Sequence, residues 1–543
     1  MIVLKDIYWE RVNLHLVFDT SLEGLNIILA NNKNKMLKLK SDTNEIVINV
    51  TNTPEGEMFD SGKWNLIISD KVDFTTHKEF LKYDTKRLET KEYETFFKID
   101  EDLLSKLDEK SKIFNYRGRK CAYIVDFYLD SNLQFYIYSN FMIENRSWKR
   151  FLTYRESETL LKKVITFFRK RYLNFIKTYY WICRMLKFNR KKRVLFLTEN
   201  SNELIGNLKA LYDYLNTDKV KCTKKICAYD IYDKKNLHIL RRCKIFLKEI
   251  FLLAQSDVVF VDNYTPKLTH LKISKKCKLV QLWHAGIGFK SVGYARFGID
   301  GSPHPARSCH RTYTDAVVDQ ESLIEVYKEV YGIKESSFKA FGIPRLDGYL
   351  DKETIDSKVK EMEKLNPYFT SKKVILFSPT YRGNGSSDAY YDYSLIDLER
   401  IYKYCKENNF IFVIKMHPFI KELISIPEEY QDLIFEYSSL DINDLIYVSD
   451  IMITDYSSCA YEFSLFNRLL IFYRFDKSLY EYLRPMHTVK CFTKNQAEVK
   501  KFDELMQVLE DNKNIDINER YSNLRKLSNT NSCENIINEY VVK

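Results

Sequence analysis

The sequence predicts an α/β protein with two Rossmann-like units, residues 194–347 and 348–543. A small β-rich domain over 1–147 and a basic helical segment over 148–193 precede them. Three observations predict this. From residue 194 onward, short apolar runs alternate with helix-patterned segments, as in parallel strands covered on both faces. The alternation starts afresh near residue 372, which makes two such sheets. Before residue 147 the runs lie closer together, are rich in β-branched and aromatic residues, and have polar connections, as in a small sandwich.

In the first domain Val12, Leu14, Leu16 and Phe18 alternate with Asn13, His15 and Val17. EIVINV (45–50), WNLIIS (64–69), CAYIVDFYL (121–129) and LQFYIYS (133–139) are further strand candidates. No catalytic constellation is visible there, so an accessory or docking role is expected. The next stretch, 154–193, has neither Gly nor Pro and reads as helix. Phe168, Tyr172, Phe175, Ile176, Tyr179 and Ile182 recur at helical spacing, and Lys and Arg fill most other positions.

Residues 149–193 hold 15 basic and 2 acidic residues, a local +13. The whole chain carries +11, so the remainder is close to −2 and this is one basic belt rather than a basic protein. Aromatic residues beside cations suit an anionic membrane surface. The structural alternative is a linker helix whose apolar stripe packs on the next unit. No nucleic-acid module accompanies the belt, so nucleic acid is not an expected partner.

VLFLTEN (194–200), SDVVFVDNY (256–264) and KLVQLWHAG (278–286) are the strands of the first unit. KVILFSPTYR (373–382), FIFVIKMHP (410–418), DIMITDYSS (450–458) and LLIFYRFD (469–476) are those of the second. Ligands of such sheets bind beyond the carboxyl ends of the strands, where the polar motifs fall.

Composition removes several classes. Apolar residues at 45% and charged residues at 29% suffice for ordinary cores, and 15 Gly with 10 Pro exclude collagen-like chains. Eleven scattered Cys without a CxxC pair fit a reducing compartment better than a disulfide framework. Charge at Lys5 and Asp6 argues against a signal peptide, and no uncharged apolar run is long enough to predict a membrane span. There is no P-loop, and no G-x-G-x-x-G follows a first strand. ATP hydrolysis and dinucleotide redox chemistry are therefore not expected.

His284 follows an apolar strand and can serve as a general base, while Gly286 and Gly288 permit close approach of a ligand. His417 repeats the design in the second unit, with Lys415 two residues before it, and the pair could stabilise phosphate oxygens. Asp455 or Ser457 can cap a helix after the strand ending at Thr454. Ser457, Ser458 and the first amides would then form an anion site, with Glu462 one turn on for ribose hydroxyls. Arg382 is a candidate phosphate clamp, and Arg345, near a hinge, has two readings, structural or cleft residue. Each has a bland alternative: a hydrogen-bonded loop His, or a cap without a ligand.

Taken in order, WHAG (283–286), GIPRLD (342–347), SPTYR (378–382), KMHP (415–418) and TDYSS (454–458) resemble the CDP-glycerol/CDP-ribitol polyol-phosphate transferases. These are the teichoic acid primases and polymerases, and the resemblance covers about 194–543. IYWERVNL (7–14), QLWHAGIGFKSVGYARFG (281–298) and HRTYT (310–314) look most like the ribitol-phosphate polymerase branch, although Ala285 stands where many members have Gly.

The resemblance implies a glycosyltransferase-B-like pair of domains, with the acceptor on the first and the CDP-alditol donor on the second. It also implies catalytic roles for His284 and His417, and CDP binding by Asp455, Ser457 and Ser458. Arg382, Lys415 and Glu462 complete the expected donor set; Gly286, His310, Arg311 and Arg345 are candidate substrate contacts. No acidic cluster has metal-ligand spacing, so no tightly bound cofactor is expected beyond Mg²⁺ accompanying the diphosphate.

The expected protein is a peripheral enzyme of the cytoplasmic membrane face. It would transfer ribitol phosphate or glycerol phosphate to a lipid-linked acceptor and release CMP. The competing readings are a nucleotide-sugar glycosyltransferase in capsule polymer synthesis and a non-catalytic assembly protein of the same fold.

Overall fold

The computed structural model describes residues 2–31, 35–70, 73–80, 82, 97–116, 121–129, 135–143, 160–187, 191–199, 201–217, 222–229, 238–284, 290–299, 308–383, 388–487, 495–525, 527 and 529–543. The first ten strands are β1 (Ile2–Glu10), β2 (Asn13–Phe18), β3 (Asn26–Asn31), β4 (Met36–Leu39), β5 (Glu45–Asn49), β6 (Gly62–Ser69), β7 (Phe97–Ile99), β8 (Lys112–Tyr116), β9 (Cys121–Leu129) and β10 (Phe135–Ile143). They form two sheets, in the orders β5-β2-β1-β7 and β4-β3-β6-β10-β9-β8. Alternation sends Leu14, Leu16 and Phe18 of β2 into a core shared with Trp64, Tyr123 and Phe127 of the other sheet.

This sandwich is tied to the next unit by two arginines. Arg311 Nη1 donates to the carbonyls of Gly56 and Gly332, both at 2.9 Å, and its Nη2 to that of Thr51. Arg11 pairs with buried Glu329 at 2.7 Å.

The helix Leu160–Met185 links the sandwich to the first Rossmann-like unit. Its side chains are described from residue 171, so the side chain of Phe168 and the start of the belt lie outside what is described. The buried line is Ile176, Tyr180 and Cys183, which pack with Leu195, Leu197 and Ile250. The expected stripe is therefore split: Ile176 is buried, Tyr179 is half-buried, and Tyr172, Phe175 and Ile182 are exposed. The helix end is pinned by Arg184, whose Nη1 donates to the carbonyls of Ala254 and Ser256.

The first parallel sheet has the order β12-β11-β13-β14-β15-β16. Its strands are β11 (Arg193–Thr198), β12 (Thr223–Ala228), β13 (Val258–Val261), β14 (Lys278–Gln281), β15 (Asp315–Val318) and β16 (Phe338–Ala340). The second has the order β19-β18-β17-β20-β21-β22. It comprises β17 (Lys373–Phe377), β18 (Phe410–Ile414), β19 (Ile434–Glu436), β20 (Ile451–Thr454), β21 (Leu469–Tyr473) and β22 (Gln496–Val499). Each sheet grows both ways from its first strand, which makes a switch point between β11 and β13 and another between β17 and β20.

The second unit does not hold the whole of 348–543. Cys533, Ile536, Ile537, Tyr540 and Val541 pack on Val194, Phe196 and Phe260 of the first unit. The chain end thus returns across the hinge, because its apolar face completes the uncovered side of the first sheet.

Candidate functional site

The loop after β14 is held in an unusual backbone state. Trp283 has φ +52°, a left-handed conformation that costs a bulky residue about 1–3 kcal/mol. Its two backbone groups are both pinned: Trp283 N donates to Gln281 Oε1 at 2.8 Å and Trp283 O accepts from Asn207 Nδ2 at 2.6 Å. The strained turn presents His284, which is exposed and lies face-tilted on Trp283 with ring centroids 4.6 Å apart.

Its Nδ1 stands 3.3 Å from the Asp262 carbonyl oxygen, which can only accept. The proton therefore sits on Nδ1, and Nε2 keeps its lone pair. Although the ring is open on one side, the protein around it desolvates the imidazolium and lowers its pKa. The Asp262 carbonyl opposes that shift and Arg345 adds to it. His284 is thus a neutral imidazole with a free basic nitrogen near pH 7.

His417 follows β18 and carries the opposite tautomer. The Phe419 amide donates to its Nδ1 at 3.2 Å, so in the neutral ring the proton is on Nε2. Tyr381 and Phe419 pack on the ring at 4.6 and 4.7 Å. Desolvation, then Lys290 and Lys415, push its pKa down to about 4. His417 is a hydrogen-bond donor at neutral pH, not a base.

The switch point of the second sheet is braced by ions. Asp455 Oδ1 accepts from the amides of Thr380 and Tyr456, at 2.7 and 2.5 Å, and Oδ2 from Arg382 Nη1 at 2.9 Å. Arg382 also forks onto Asp476, Nε at 2.7 Å and Nη2 at 3.0 Å, and Nη1 reaches the Thr380 carbonyl at 2.7 Å. Arg382, expected as a phosphate clamp, and Asp455, expected as a CDP ligand, are thus paired with each other. They neutralise each other and fix the SPTYR and TDYSS loops.

Glu462 is likewise engaged, in a buried ion pair with Arg345. The ribose contact expected of Glu462 and the substrate contact expected of Arg345 thus fall on two residues that pair with each other at the hinge. A neighbouring cross-link, Tyr461 Oη to Asp319, joins the same two units.

The helix after TDYSS begins at Ala460, runs only to Ser464 and has no side-chain cap. Five residues align few peptide dipoles, so the expected helix-start potential is small. Ser457 is half-buried and contacts Cys459 Sγ at 3.0 Å, while Ser458 is exposed.

The positive charge comes from elsewhere. Lys415 Nζ donates to the Ser438 carbonyl at 2.8 Å, Arg484 Nη2 to the Gly383 carbonyl at 3.0 Å, and Lys290 Nζ to Thr380 Oγ1 at 3.4 Å. Among the described residues none of the three has a carboxylate in ion-pair range. Sequence reasoning missed Lys290 and Arg484. Lys290 lies within the stretch 281–298, six residues past His284, but nothing local there announces a ligand contact, and Arg484 reaches the loops only through tertiary folding.

Two other candidate substrate contacts are engaged in packing. His310 is 3% exposed and enclosed by Tyr264, Trp283, Tyr313 and Tyr331, which lowers its pKa to about 3, so it is a core residue. Arg311 is consumed by the sandwich joint described above. Gly286 and Gly288 lie outside the described residues.

His284 thus presents an unbonded ring nitrogen at the end of one sheet, while at the end of the other a neutral N–H donor, His417, lies beside Lys290 and Lys415. Residues 179–540 match the family model described as CDP-glycerol:poly(glycerophosphate) glycerophosphotransferase. The teichoic acid ribitol-phosphate polymerase TarK of Staphylococcus aureus is 35% identical over 345 residues, 63% of this chain and 66% of that one. The ribitol-phosphate polymerase TarL of the same species is 29% identical over 536 residues, 94% and 93% of the two chains. A teichoic acid poly(ribitol-phosphate) polymerase of Bacillus spizizenii is 35% identical over 318 residues, 58% of this chain and half of that one. Among solved structures, the wall teichoic acid polymerase TagF shares the fold, with a TM-score of 0.50 at 15% identity over 69% of this chain and 95% of that one.

Proposed function

The chain belongs to the CDP-glycerol:poly(glycerophosphate) glycerophosphotransferase family, and from that premise we propose that it transfers ribitol phosphate from CDP-ribitol to a terminal hydroxyl of a lipid-linked teichoic acid chain, releasing CMP. The observation that carries the reading is the pair of opposed histidine tautomers on the two sheet ends. His284 Nε2 takes the proton of the acceptor hydroxyl as its oxygen attacks the β-phosphorus. The bond from that phosphorus to the bridging oxygen breaks, and CMP leaves with the oxygen and the electron pair. His417 Nε2–H donates to a phosphate oxygen, and Lys415 and Arg484 oppose the negative charge of the diphosphate. These side chains carry the charge neutralisation, with Mg²⁺ a companion of the diphosphate rather than a resident ion.

Ribitol rather than glycerol is favoured because the similarity to TarL extends over 94% of this chain and so includes the sandwich, outside the matched family region. The test is CMP release from purified protein with a lipid-linked primer, comparing CDP-ribitol, CDP-glycerol and UDP- and GDP-sugars. Turnover of CDP-ribitol is expected. Consumption of a nucleotide sugar alone would sink the reading.

The acceptor's lipid end calls for a membrane contact, and we place it on the helix Leu160–Met185. Phe175, Trp181, Ile182 and Met185 are 41–79% exposed there, within the basic belt. Among the described residues no helix is long and apolar enough to cross a membrane. Each Lys or Arg near an anionic surface contributes roughly 1 kcal/mol, screened by salt. Phe175→Ser with Trp181→Ser should weaken sedimentation with anionic liposomes while donor KM stays constant. Equal, salt-insensitive binding of both proteins would exclude this surface.

A further inference from the structure

We propose that Lys290, delivered from the first unit, is a phosphate-contacting residue of the donor site whose ammonium takes a non-bridging oxygen of the CDP-alditol diphosphate. This rests on the donor reading above. The placement is fixed by backbone: Ser291 N donates to Pro485 O at 2.9 Å, and Lys290 itself forms an antiparallel bridge with Met486. A residue of the acceptor-side unit is thereby anchored to the donor-side unit. Arg11 of the sandwich supports the same clasp, donating to Met486 O at 3.3 Å.

From there Nζ reaches Thr380 in the SPTYR loop and lies 6.0 Å from the Tyr480 ring. The charged and titratable groups around it are Asp455, Arg484, Cys459, Arg382 and His417. The one carboxylate among them, Asp455, already accepts three bonds from Thr380, Tyr456 and Arg382. The ammonium is thus left with cations on several sides and no ion-pair partner among the described residues. Burial, with Arg484 and Arg382 adding and Asp455 opposing, lowers its pKa to about 8. A diphosphate supplies the missing counter-charge. Because Lys290 and His284 are six residues apart, the same stretch of chain would bind the donor and carry the base.

An anion bound at Lys290 raises its pKa, so binding near pH 8 must draw a proton from the buffer. The experiment is calorimetric titration of the full chain with CDP at pH 8 and pH 6, in buffers of differing ionisation enthalpy. The wild type should take up a fraction of a proton per CDP at pH 8, where Lys290 is partly neutral, and less at pH 6, where it is already charged. Lys290→Arg, charged throughout, should bind CDP within a few-fold of the wild type with no uptake at pH 8. Lys290→Met should lose about 10- to 100-fold in CDP affinity. Uptake that persists in Lys290→Arg, or undiminished affinity in Lys290→Met, overturns the assignment while leaving the donor reading intact. A wild type that ignores CDP but binds a UDP- or GDP-sugar overturns the donor reading and this proposal with it.

Discussion

His284 and His417 stand at equivalent places on the two parallel sheets, each just beyond an apolar strand, yet their chemistry is opposite. The difference lies in which backbone group meets Nδ1. At His284 a carbonyl accepts from it, leaving Nε2 as a base; at His417 an amide donates to it, making Nε2 a donor. The surroundings reinforce the split. His284 is exposed on a strained Trp283 turn, whereas His417 is packed by two aromatic rings and faces two lysines. In the proposed reaction one local pattern thus serves proton removal on one sheet and phosphate binding on the other.

The strongest test of this contrast is His284→Ala. Loss of a general base typically costs ~10²–10⁴-fold in rate, and because the base acts in the transition state, donor affinity should stay constant. Turnover near that of the wild type would remove His284 from the reaction. Arg382→Ala probes the other sheet's scaffold. It strips a buried carboxylate, Asp455, of its ion-pair partner, and should cost about 3–5 kcal/mol of stability in thermal or denaturant unfolding. An unchanged melting temperature with a raised donor KM would instead return Arg382 to the role of phosphate clamp.

His417→Ala should raise the KM for CDP-alditol and lower kcat together, by about 10-fold, the worth of one hydrogen bond to a charged group. The pH sign follows from burial. Both histidines have folded pKa values below the free value of about 6.5, so the unfolded chain binds protons more readily. The stability they contribute is present above pH 6.5 and is lost as the pH falls towards 4, the folded value of His417. The acid limb of kcat/KM, set by His284, should lie below pH 6.5. A limb above 6.5 would mean that the titrating base is another group. The smallest effect is expected for Ser457→Ala with Ser458→Ala: a few-fold rise in donor KM with acceptor KM unchanged, since the short helix behind them adds little potential. A change confined to acceptor KM would move the donor away from this loop.

Much of this was legible before folding. Alternation in 12–18 placed Leu14, Leu16 and Phe18 in the sandwich core, and the apolar runs 194–200, 373–382, 410–418 and 450–458 each contain a parallel strand. The positions of His284 and His417 after β14 and β18 were also readable, because each closes a short apolar run of the kind that forms a strand buried on both faces. The partners were not readable. Nothing near Arg382 in sequence announces Asp476, and nothing near Glu462 announces Arg345, 117 residues away.

The sequence by itself determined the strand inventory, the basic belt and the motif order, all of which depend on residues within a few positions of one another. Tertiary structure alone decided which charges are spent on structure and which remain for a ligand. Arg382, Asp455, Glu462 and Arg345 cancel in pairs, while Lys290 and Arg484 have no carboxylate partner among the described residues. The physical reason is that charge compensation depends on distance in space over a few ångströms, and chain separation carries no information about it.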